Sequence, residues 1–188
     1  KDYDKEVIAD VNLNLSGQIN LLEKLVEYYK NIPYDFENEK ENLRYKLKDA
    51  QYRYSDVVFL FSIMNEYKPK RIIEIGSGYS SAVMLDTNEL CFNNSIELTF
   101  IEPYPENRLL KLLRDDDHSL INLKKKFVQD VDLEVFKSLE ENDILFVDSS
   151  HVSKLGSDVN HIMFSILPIL KPGVLIHFHD VFFPFELP

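Results

Sequence analysis

The apolar residues of the first 32 positions repeat at the spacing of a helix. Steps of three and four residues separate them, which places them on one helix face: Ile8, Val11, Leu15, Ile19, Leu22, Val26 and Tyr29. The helix is predicted to end before Pro33, because a residue that precedes proline is pushed out of helical geometry. A charged, tyrosine-rich link from Tyr34 to Tyr54 follows and is predicted to lie on the surface. Residues 1–54 are therefore predicted to form an N-terminal helical extension and link.

From Ser55 onward, short β-rich runs alternate with helical ones. The predicted strands are Arg71–Ile75, Ile96–Ile101, Lys125–Val128, Ile144–Val147 and Val174–Phe178. The predicted helices are one that starts at Ser55 and contains Val57–Met64, followed by Ser80–Asp86, Glu106–Arg114, Asp132–Leu139 and Ser157–Leu170. Strands that alternate with helices of this length form βαβ units around a parallel sheet. We therefore predict an α/β fold for residues 55–188, a doubly wound Rossmann-like parallel sheet with helices on both faces.

The composition adds limits on the class of protein. A chain of 188 residues with 45% hydrophobic residues is long enough to bury a core. No apolar run approaches the roughly 20 residues that a membrane span needs, and no apolar core of a signal peptide follows the first residues. Cys91 is the only cysteine, which excludes an intramolecular disulfide and a Cys-rich zinc site. These features predict a cytoplasmic protein that has no membrane partner.

The net charge limits the partners further. The 32 Asp and Glu residues outnumber the 21 Lys and Arg residues, which gives a formal net charge of −11. Because so acidic a surface repels phosphate groups, we predict no nucleic-acid partner. The basic run Lys124–Lys126 is predicted to be a solvated strand edge. The acidic run Asp115–Asp117 is predicted to be a solvated helix end.

Polar side chains mark the carboxyl ends of the predicted strands, where open α/β sheets bind their ligands. The first strand runs into Glu74-Ile75-Gly76-Ser77-Gly78-Tyr79-Ser80, which contains two of the chain's five glycines. Glycines at this point let the backbone turn sharply and approach a ligand closely. Glu102 ends the second strand, where its carboxylate could accept hydrogen bonds from a ribose diol. The other strand ends carry Gln129-Asp130-Val131, Asp148 and His177-Phe178-His179-Asp180.

These strand ends favour one kind of ligand over another. Acidic side chains would repel a phosphate-rich ligand and would suit one that carries a cation, a ribose and an adenine. Ser81 replaces the third glycine of the dinucleotide motif G-x-G-x-x-G, and no G-x-x-x-x-G-K-[ST] phosphate loop occurs. An NAD(P)-dependent oxidoreductase and a non-catalytic cofactor-binding scaffold remain as alternatives on such a sheet.

The segment Glu74–Ser80 resembles the first motif of the class I S-adenosylmethionine-dependent methyltransferases, E/D-x-G-x-G-x-G/S. The resemblance covers about Ser55 to Asp180, roughly two-thirds of the chain. It is strongest for the small-molecule O-methyltransferases called methyltransferase family 24, whose D-x-x-H and H-F-H-D segments match Asp148–His151 and His177–Asp180. The resemblance implies S-adenosyl-L-methionine as the cofactor. It also implies O-methylation of a small-molecule hydroxyl, on a sugar or a secondary metabolite, as the reaction.

The resemblance implies roles for individual residues. It assigns the cofactor to Glu74, Gly76, Ser77, Gly78, Tyr79, Ser80 and Asp148, with Glu102 at the ribose and Asp130 and Val131 at the adenine. His151 lies just beyond the fourth strand and is the candidate general base, because an imidazole can accept a proton near neutral pH. His179 is the second catalytic candidate, and strand alternation places it on the same face as His177.

The resemblance also raises the question of a metal. Asp148 and Asp180 resemble the ligands of the divalent-metal catechol and caffeoyl-CoA O-methyltransferases, but Val181 stands where those proteins have an asparagine. Magnesium is therefore one alternative, and a capping or cofactor-facing role for Asp148 is another. Class I methyltransferases continue after the fifth strand with a helix and two antiparallel strands, so the resemblance predicts a domain truncated at its C-terminus. The sequence does not name the acceptor and leaves open whether the chain forms a homo-oligomer.

Overall fold

A parallel β-sheet of five strands forms the centre of the molecule. The computed structural model describes residues 12–35, 40–48 and 51–181. The strands are β1 (Arg71–Ile75), β2 (Glu97–Ile101), β3 (Ile121–Lys124), β4 (Ile144–Val147) and β5 (Leu175–Phe178). They lie in the order β3-β2-β1-β4-β5, and all four neighbouring pairs are parallel. The order reverses between β1 and β4, which is where sheets of this kind bind their ligands.

Six α-helices accompany the sheet in the described residues. They are α1 (Leu15–Tyr29), α2 (Tyr54–Tyr67), α3 (Tyr79–Phe92), α4 (Leu109–Leu112), α5 (Glu134–Lys137) and α6 (Asp158–His161). Helix α6 continues as a π-helical turn over Ile162–Ile166 and a 3₁₀ turn over Leu167–Ile169. None of the helices in these described ranges is long and apolar enough to cross a membrane.

Two apolar cores cover the two faces of the sheet. On one face, α2 and α3 pack against alternate strand residues such as Ile72, Phe100 and Phe146. On the other face, α5 and the π-helical turn pack against Ile73 and the residues that alternate with the first set. Successive strand side chains point to opposite faces, so the near-continuous apolar strands fill both cores. The predicted α/β fold with helices on both faces is confirmed.

Part of the link before α2 is buried, so the prediction of a surface link is wrong for that part. Tyr34, Leu43, Tyr45 and Tyr52 are buried in the same core as α2 and α3. The charged residue Arg44, between Leu43 and Tyr45, is buried as well. Its carboxylate partners compensate for the burial of its charge.

Arg44 bonds to two buried carboxylates on distant segments. Its Nη1 lies 3.0 Å from Asp86 Oδ1 on α3, and its Nη2 lies 2.5 Å from Asp117 Oδ1. Both carboxylate side chains are fully buried. Asp117 was predicted to be solvated and is not, because a charge can be buried where a bidentate arginine pairs with it. Arg44 thereby ties the link to α3 and to the 3₁₀ turn Asp115–Ser119.

Helix α1 forms as predicted, but its apolar stripe does not face the sheet. Leu15, Ile19, Leu22, Val26 and Tyr29 each expose at least half of their surface. The face that packs onto the domain instead carries Leu25, which is 4% exposed, and Tyr28, whose hydroxyl donates to Glu66 on α2. Periodicity therefore identified the helix and not the face that is buried. Ile8 and Val11 lie outside the described residues.

The third strand is the element whose position was predicted wrongly. It covers Ile121–Lys124 and not Lys125–Val128, and the chain then leaves the sheet and forms a 3₁₀ turn over Val128–Asp130. Strand β3 lies at the edge of the sheet and its residues are partly exposed. Its sequence therefore shows only a weak pattern of apolar residues. The predicted helix Glu106–Arg114 is a 3₁₀ turn followed by α4. The C-terminal strands that the resemblance expects would follow Val181, and residues 182–188 lie outside the described ranges.

Candidate functional site

Two cavities open at the carboxyl ends of the strands and share Asp148. The first has a volume of about 370 Å³ and is bounded by Gly76 after β1, Glu102 after β2 and Asp148 after β4. The second has a volume of about 150 Å³ and lies on the side of Asp148 that faces Ser80 and His179. The first volume falls within the range of small-molecule sites. The sheet topology thus places both cavities at the switch point between β1 and β4.

Glu102 is held in position on the wall of the first cavity. Its Oε1 accepts a hydrogen bond of 2.9 Å from the backbone N–H of Tyr104, and its Oε2 accepts one of 3.3 Å from the backbone N–H of Ser77. A carboxylate has about four lone-pair positions, so Glu102 can accept further hydrogen bonds from a ligand. Ser77 reaches the site through this backbone contact and does not line either cavity.

The residues at the far end of the first cavity differ from those predicted for the adenine. Phe127, Val128 and Gln129 line the wall, while Asp130 and Val131 do not. The side chain of Val131 is buried in the core beneath the cavity, and Asp130 is exposed. The displacement follows from the end of β3, which lies four residues before the predicted end.

Glu74 is fully buried and lines neither cavity. Its Oε1 accepts a hydrogen bond of 2.5 Å from the Ser80 hydroxyl, and its Oε2 accepts one from the Ser81 hydroxyl. Ser81 in turn accepts the backbone N–H of Gly78 at 2.9 Å. Burial raises the pKa of Glu74 to about 7, although the serine hydroxyls oppose the shift. Glu74 therefore fixes the loop between β1 and α3 from below and is placed to act on a ligand only through it.

The two glycines of this loop make room for different neighbours. Gly76 has φ +83°, and a Cβ there would lie 1.8 Å from the backbone oxygen of Asp148. Gly78 has extended backbone, and a Cβ there would lie 2.6 Å from Cδ of Arg108. The sequence predicted that both glycines let a ligand approach. In the structure, Gly76 lets the ends of β1 and β4 approach each other, and Gly78 leaves space for an arginine side chain.

Tyr52 and His179 line the second cavity, and the rings of Phe146 and His177 pack beside them. The ring centroid of His179 lies 5.1 Å from that of Tyr52, and His177 stacks on Phe146 at 4.4 Å. Tyr79 and Ser80 complete the wall nearest the loop. Burial lowers the pKa of His177 to about 4, so this imidazole is neutral near pH 7. His177 is the packed member of the pair, and His179 is the one that reaches the cavity.

Asp148 and Asp180 bring two imidazoles together. His151 Nε2 lies 3.3 Å from Asp148 Oδ1 and 3.9 Å from Asp180 Oδ2. His179 Nδ1 lies 3.6 Å from Asp148 Oδ1 and 3.4 Å from Asp180 Oδ1. The structure therefore brings these four strand-end residues together in one cluster.

The charges in this cluster shift the pKa values of its members. Burial works against ionisation of Asp148, but His179 and His151 outweigh it and lower the pKa of the carboxyl. Burial likewise opposes protonation of His179, but Asp148, Asp180 and Asp56 outweigh it and raise the pKa of the imidazole. Groups that shift one another in a cavity are candidates for catalysis.

The backbone of the cluster is strained at two of its members. His151 has φ 58° and Asp180 has φ 57°, both in the left-handed region that residues other than glycine rarely adopt. Strain of this kind costs on the order of 1–3 kcal/mol and occurs preferentially at functional sites. With these conformations, Nε2 of His151 lies near the carboxylates of both Asp148 and Asp180.

Three of these side chains fit a divalent cation. One atom each of Asp148, His179 and Asp180 can be chosen so that all three lie within 4.8 Å of one another. The Nδ1 atom of His179 is buried and faces both carboxylates, but its geometry does not meet that of a hydrogen bond in the described part of the chain. The resemblance implied Asp148 and Asp180 as the metal ligands, and the structure places the His179 imidazole beside them.

The site geometry can be set beside known proteins. The chain matches a family model described as a methyltransferase domain over residues 73–181, which includes every strand end that forms the two cavities. It is 37% identical over 144 residues to an uncharacterized protein of Archaeoglobus fulgidus, a match that covers 75% of this chain and 63% of that protein. The chain therefore spans less than two-thirds of the length of this curated relative. Superposition on the crystal structure of SAH-bound Podospora anserina methyltransferase PaMTH1 gives a TM-score of 0.49 with 20% sequence identity, over 94% of this chain and 74% of that chain.

Proposed function

Because the chain belongs to the methyltransferase-domain family, and with it to the class I S-adenosylmethionine-dependent methyltransferases, we propose that it O-methylates a small molecule. The acceptor is the hydroxyl of a sugar or a secondary metabolite. One observation carries the proposal: Asp148 joins the cavity that suits the cofactor to a second one that is lined by the His179 imidazole and by the Asp180 carboxylate.

The first cavity has the groups that the cofactor needs. Bound S-adenosyl-L-methionine supplies a methyl group on a sulfonium, which moves from sulfur to the acceptor oxygen. Glu102 would accept hydrogen bonds from the ribose hydroxyls with the lone pairs that Tyr104 and Ser77 leave free. The lowered pKa of Asp148 keeps its carboxylate ionised beside the cationic part of the ligand. An acidic wall of this kind would repel the pyrophosphate of NAD(P).

His151 is proposed to take the proton of the acceptor hydroxyl. Its Nε2 faces Asp148 and Asp180, so the proton of the neutral ring belongs on Nε2, where both carboxylates can attract it. Nδ1 is then the atom with a free lone pair. A base in this position removes the proton as the oxygen attacks the methyl group, a contribution that is typically 10²- to 10⁴-fold in rate.

Asp148, His179 and Asp180 are proposed to hold a divalent cation when the protein is active. Such an ion stabilises the alkoxide of an acceptor hydroxyl. Magnesium prefers ligands that are all oxygen, whereas an imidazole among them also suits manganese, cobalt or zinc. His179 thus widens the choice of metal beyond the magnesium that the sequence suggested.

Calorimetric titration with S-adenosylhomocysteine tests the cofactor assignment. We expect micromolar binding, weaker or absent binding of NAD, and a ~10-fold or larger loss of affinity in Glu102→Ala, which removes a charged hydrogen-bond acceptor. Binding of NAD in preference to S-adenosylhomocysteine would refute the methyltransferase proposal.

A transfer assay over hydroxylated acceptors tests the base. We expect His151→Ala to lower turnover by ~100-fold or more while the affinity for S-adenosylhomocysteine stays the same. His118→Ala removes an exposed imidazole on the 3₁₀ turn Asp115–Ser119 and serves as the control. Equal turnover in both variants would show that His151 is not the base.

A further inference from the structure

Arg108 lines the second cavity and is held there by three neighbours. Its guanidinium carbon lies 5.2 Å from the ring centroid of Tyr79. Its Nη2 donates a hydrogen bond of 2.8 Å to Oε1 of Gln51. Its aliphatic stem crosses the loop after β1 in the space that the missing side chain of Gly78 leaves. These contacts fix the position of a side chain that is otherwise exposed.

No carboxylate of the described residues neutralises the charge of Arg108. Three other arginines pair with carboxylates: Arg44 with Asp86 and Asp117, Arg71 with Glu97 and Asp143, and Arg114 with Glu89. Arg108 has no such ion pair among the residues that the structure describes, although acids outnumber bases by 32 to 21. Its hydrogen-bond partner is a neutral amide. A guanidinium presents five N–H donors, so most of them remain available to a ligand.

We propose that Arg108 binds the carboxylate of a ligand in the second cavity. A guanidinium binds a carboxylate through two parallel hydrogen bonds, and stacking on an aromatic ring leaves its edge free for them. The inference rests on the proposed function, because the reaction brings two molecules that can carry this group. They are the cofactor, through its amino-acid end, and an acidic acceptor.

The remaining wall of the cavity indicates how such a ligand is oriented. Asp148 and Asp180 line the same cavity as the arginine but form no ion pair with it among the described residues; their carboxylates repel a carboxylate and attract an ammonium or a sulfonium. Arg108 is the cationic side chain that lines this cavity among the described residues, and it suits the anion. A ligand group with one positive and one negative charge therefore matches a cavity wall that has both carboxylates and a guanidinium. A ligand that fills the first cavity and continues past Asp148 would place its end there.

Arg108→Gln tests the inference, because it removes the charge and keeps a long polar side chain. Lys111→Gln removes the same charge one turn further along α4 and is the matched control. The probes are S-adenosylhomocysteine and 5′-methylthioadenosine, which lacks the amino-acid end. If the carboxylate belongs to the cofactor, Arg108→Gln lowers the affinity for S-adenosylhomocysteine by ~10-fold or more. The affinity of the variant for methylthioadenosine then stays within ~2-fold of the wild-type value.

A second pair of probes reports on the acceptor. 4-Hydroxybenzoate and the neutral 4-hydroxybenzamide are titrated into protein saturated with S-adenosylhomocysteine. If the carboxylate belongs to the acceptor, wild-type protein prefers the benzoate by ~10-fold or more, and Arg108→Gln loses that preference while it keeps its affinity for S-adenosylhomocysteine.

Two results would overturn the inference, and they differ. Arg108→Gln that matches wild type with all four probes shows that Arg108 binds no carboxylate, while the cofactor site stands. Wild-type protein that binds neither adenosine compound refutes the proposed function and the inference with it. Arg108→Lys is expected to recover only part of the lost affinity, because an ammonium keeps the charge and loses the planar pair of donors.

Discussion

Two carboxylates at the ends of neighbouring strands have opposite environments. Glu74 on β1 is fully buried and accepts hydrogen bonds from two serine hydroxyls. Asp148, directly after β4, is partly exposed and lies between two imidazoles. The pKa of Glu74 is raised by burial to about 7, whereas the pKa of Asp148 is lowered by its histidine neighbours.

The difference separates a residue that builds the site from one that lines it. The hydroxyls that Glu74 accepts are part of the loop, so its role is to hold Ser80 and Ser81 in place. Asp148 is the residue common to both cavities, and its negative charge faces the space that a ligand would fill. Both residues were predicted to contact the cofactor, and only Asp148 lies on a cavity wall.

Replacing Asp148 with asparagine tests whether the charge at the cavity is needed for activity. The amide keeps the size of the side chain and removes the charge that faces His151 and His179. We expect turnover to fall roughly 100- to 1,000-fold, as is typical for the loss of a placed electrostatic group. The measurement is the rate of methyl transfer, with thermal unfolding to confirm that the fold is kept.

Asp130→Asn is the matched control for this variant, since Asp130 is exposed and lies off the cavity wall. We expect its turnover and its affinity for S-adenosylhomocysteine to match wild type. A loss of affinity in Asp130→Asn would mean that the adenine contact predicted from the sequence is made after all.

The two glycines of the loop between β1 and α3 also differ in what surrounds them, and alanine substitutions test that difference. Gly76→Ala puts a methyl group against the Asp148 backbone at a φ of +83°, so both strain and overlap oppose it. We expect it to lower the free energy of unfolding by about 3 kcal/mol in urea denaturation.

Gly78→Ala needs only a shift of the Arg108 side chain, because the backbone at Gly78 is extended. Its expected cost is about 1 kcal/mol or less. Equal losses of stability in the two alanine variants would contradict the assignment of Gly76 to the contact between β1 and β4.

The sequence predicted the buried strands better than the exposed ones. The bounds of β1 and β4 were predicted correctly. Each is a short, mostly apolar strand in the interior of the sheet, and helices cover both of its faces. Strand β3 lies at the edge, where partly exposed residues produce no sharp pattern. Helix α1 shows the same limit, since its periodicity is clear but the sequence does not contain the surface against which it packs.

The sheet topology allowed the position of a site residue to be predicted from the sequence where that residue lies at a strand end. Asp148, His151, His179 and Asp180 could be placed together because parallel strands end at the same edge. Arg44 and Arg108 could not. Arg44 bonds to carboxylates 42 and 73 positions further along the chain. The place of Arg108 depends on a glycine of another loop, so neither contact leaves a local pattern.

Replacing Glu74 with glutamine tests the comparison from its buried side, through the pH dependence of stability. The pKa of Glu74 rises from 4.5 to about 7 on folding, so between these values the folded chain binds more protons than the unfolded one. The contribution of Glu74 to stability is therefore full below pH 4.5 and is lost as the pH rises through about 7. Linkage puts the loss between pH 5 and pH 8 at about 2–3 kcal/mol.

Glu74→Gln keeps an acceptor for the serine hydroxyls and cannot ionise, so this part of the slope should vanish. Urea denaturation of both proteins at pH 5, 6.5 and 8 measures it, and the variant is expected to gain on wild type as the pH rises. Ser81→Ala is the companion variant, because it removes a hydroxyl that stabilises the ionised carboxylate. It should extend the wild-type loss to a higher pH. Parallel slopes in wild type and Glu74→Gln would mean that Glu74 is ionised when buried, as Asp148 is at the cavity, and the contrast between the two strand ends would then rest on hydrogen bonding alone.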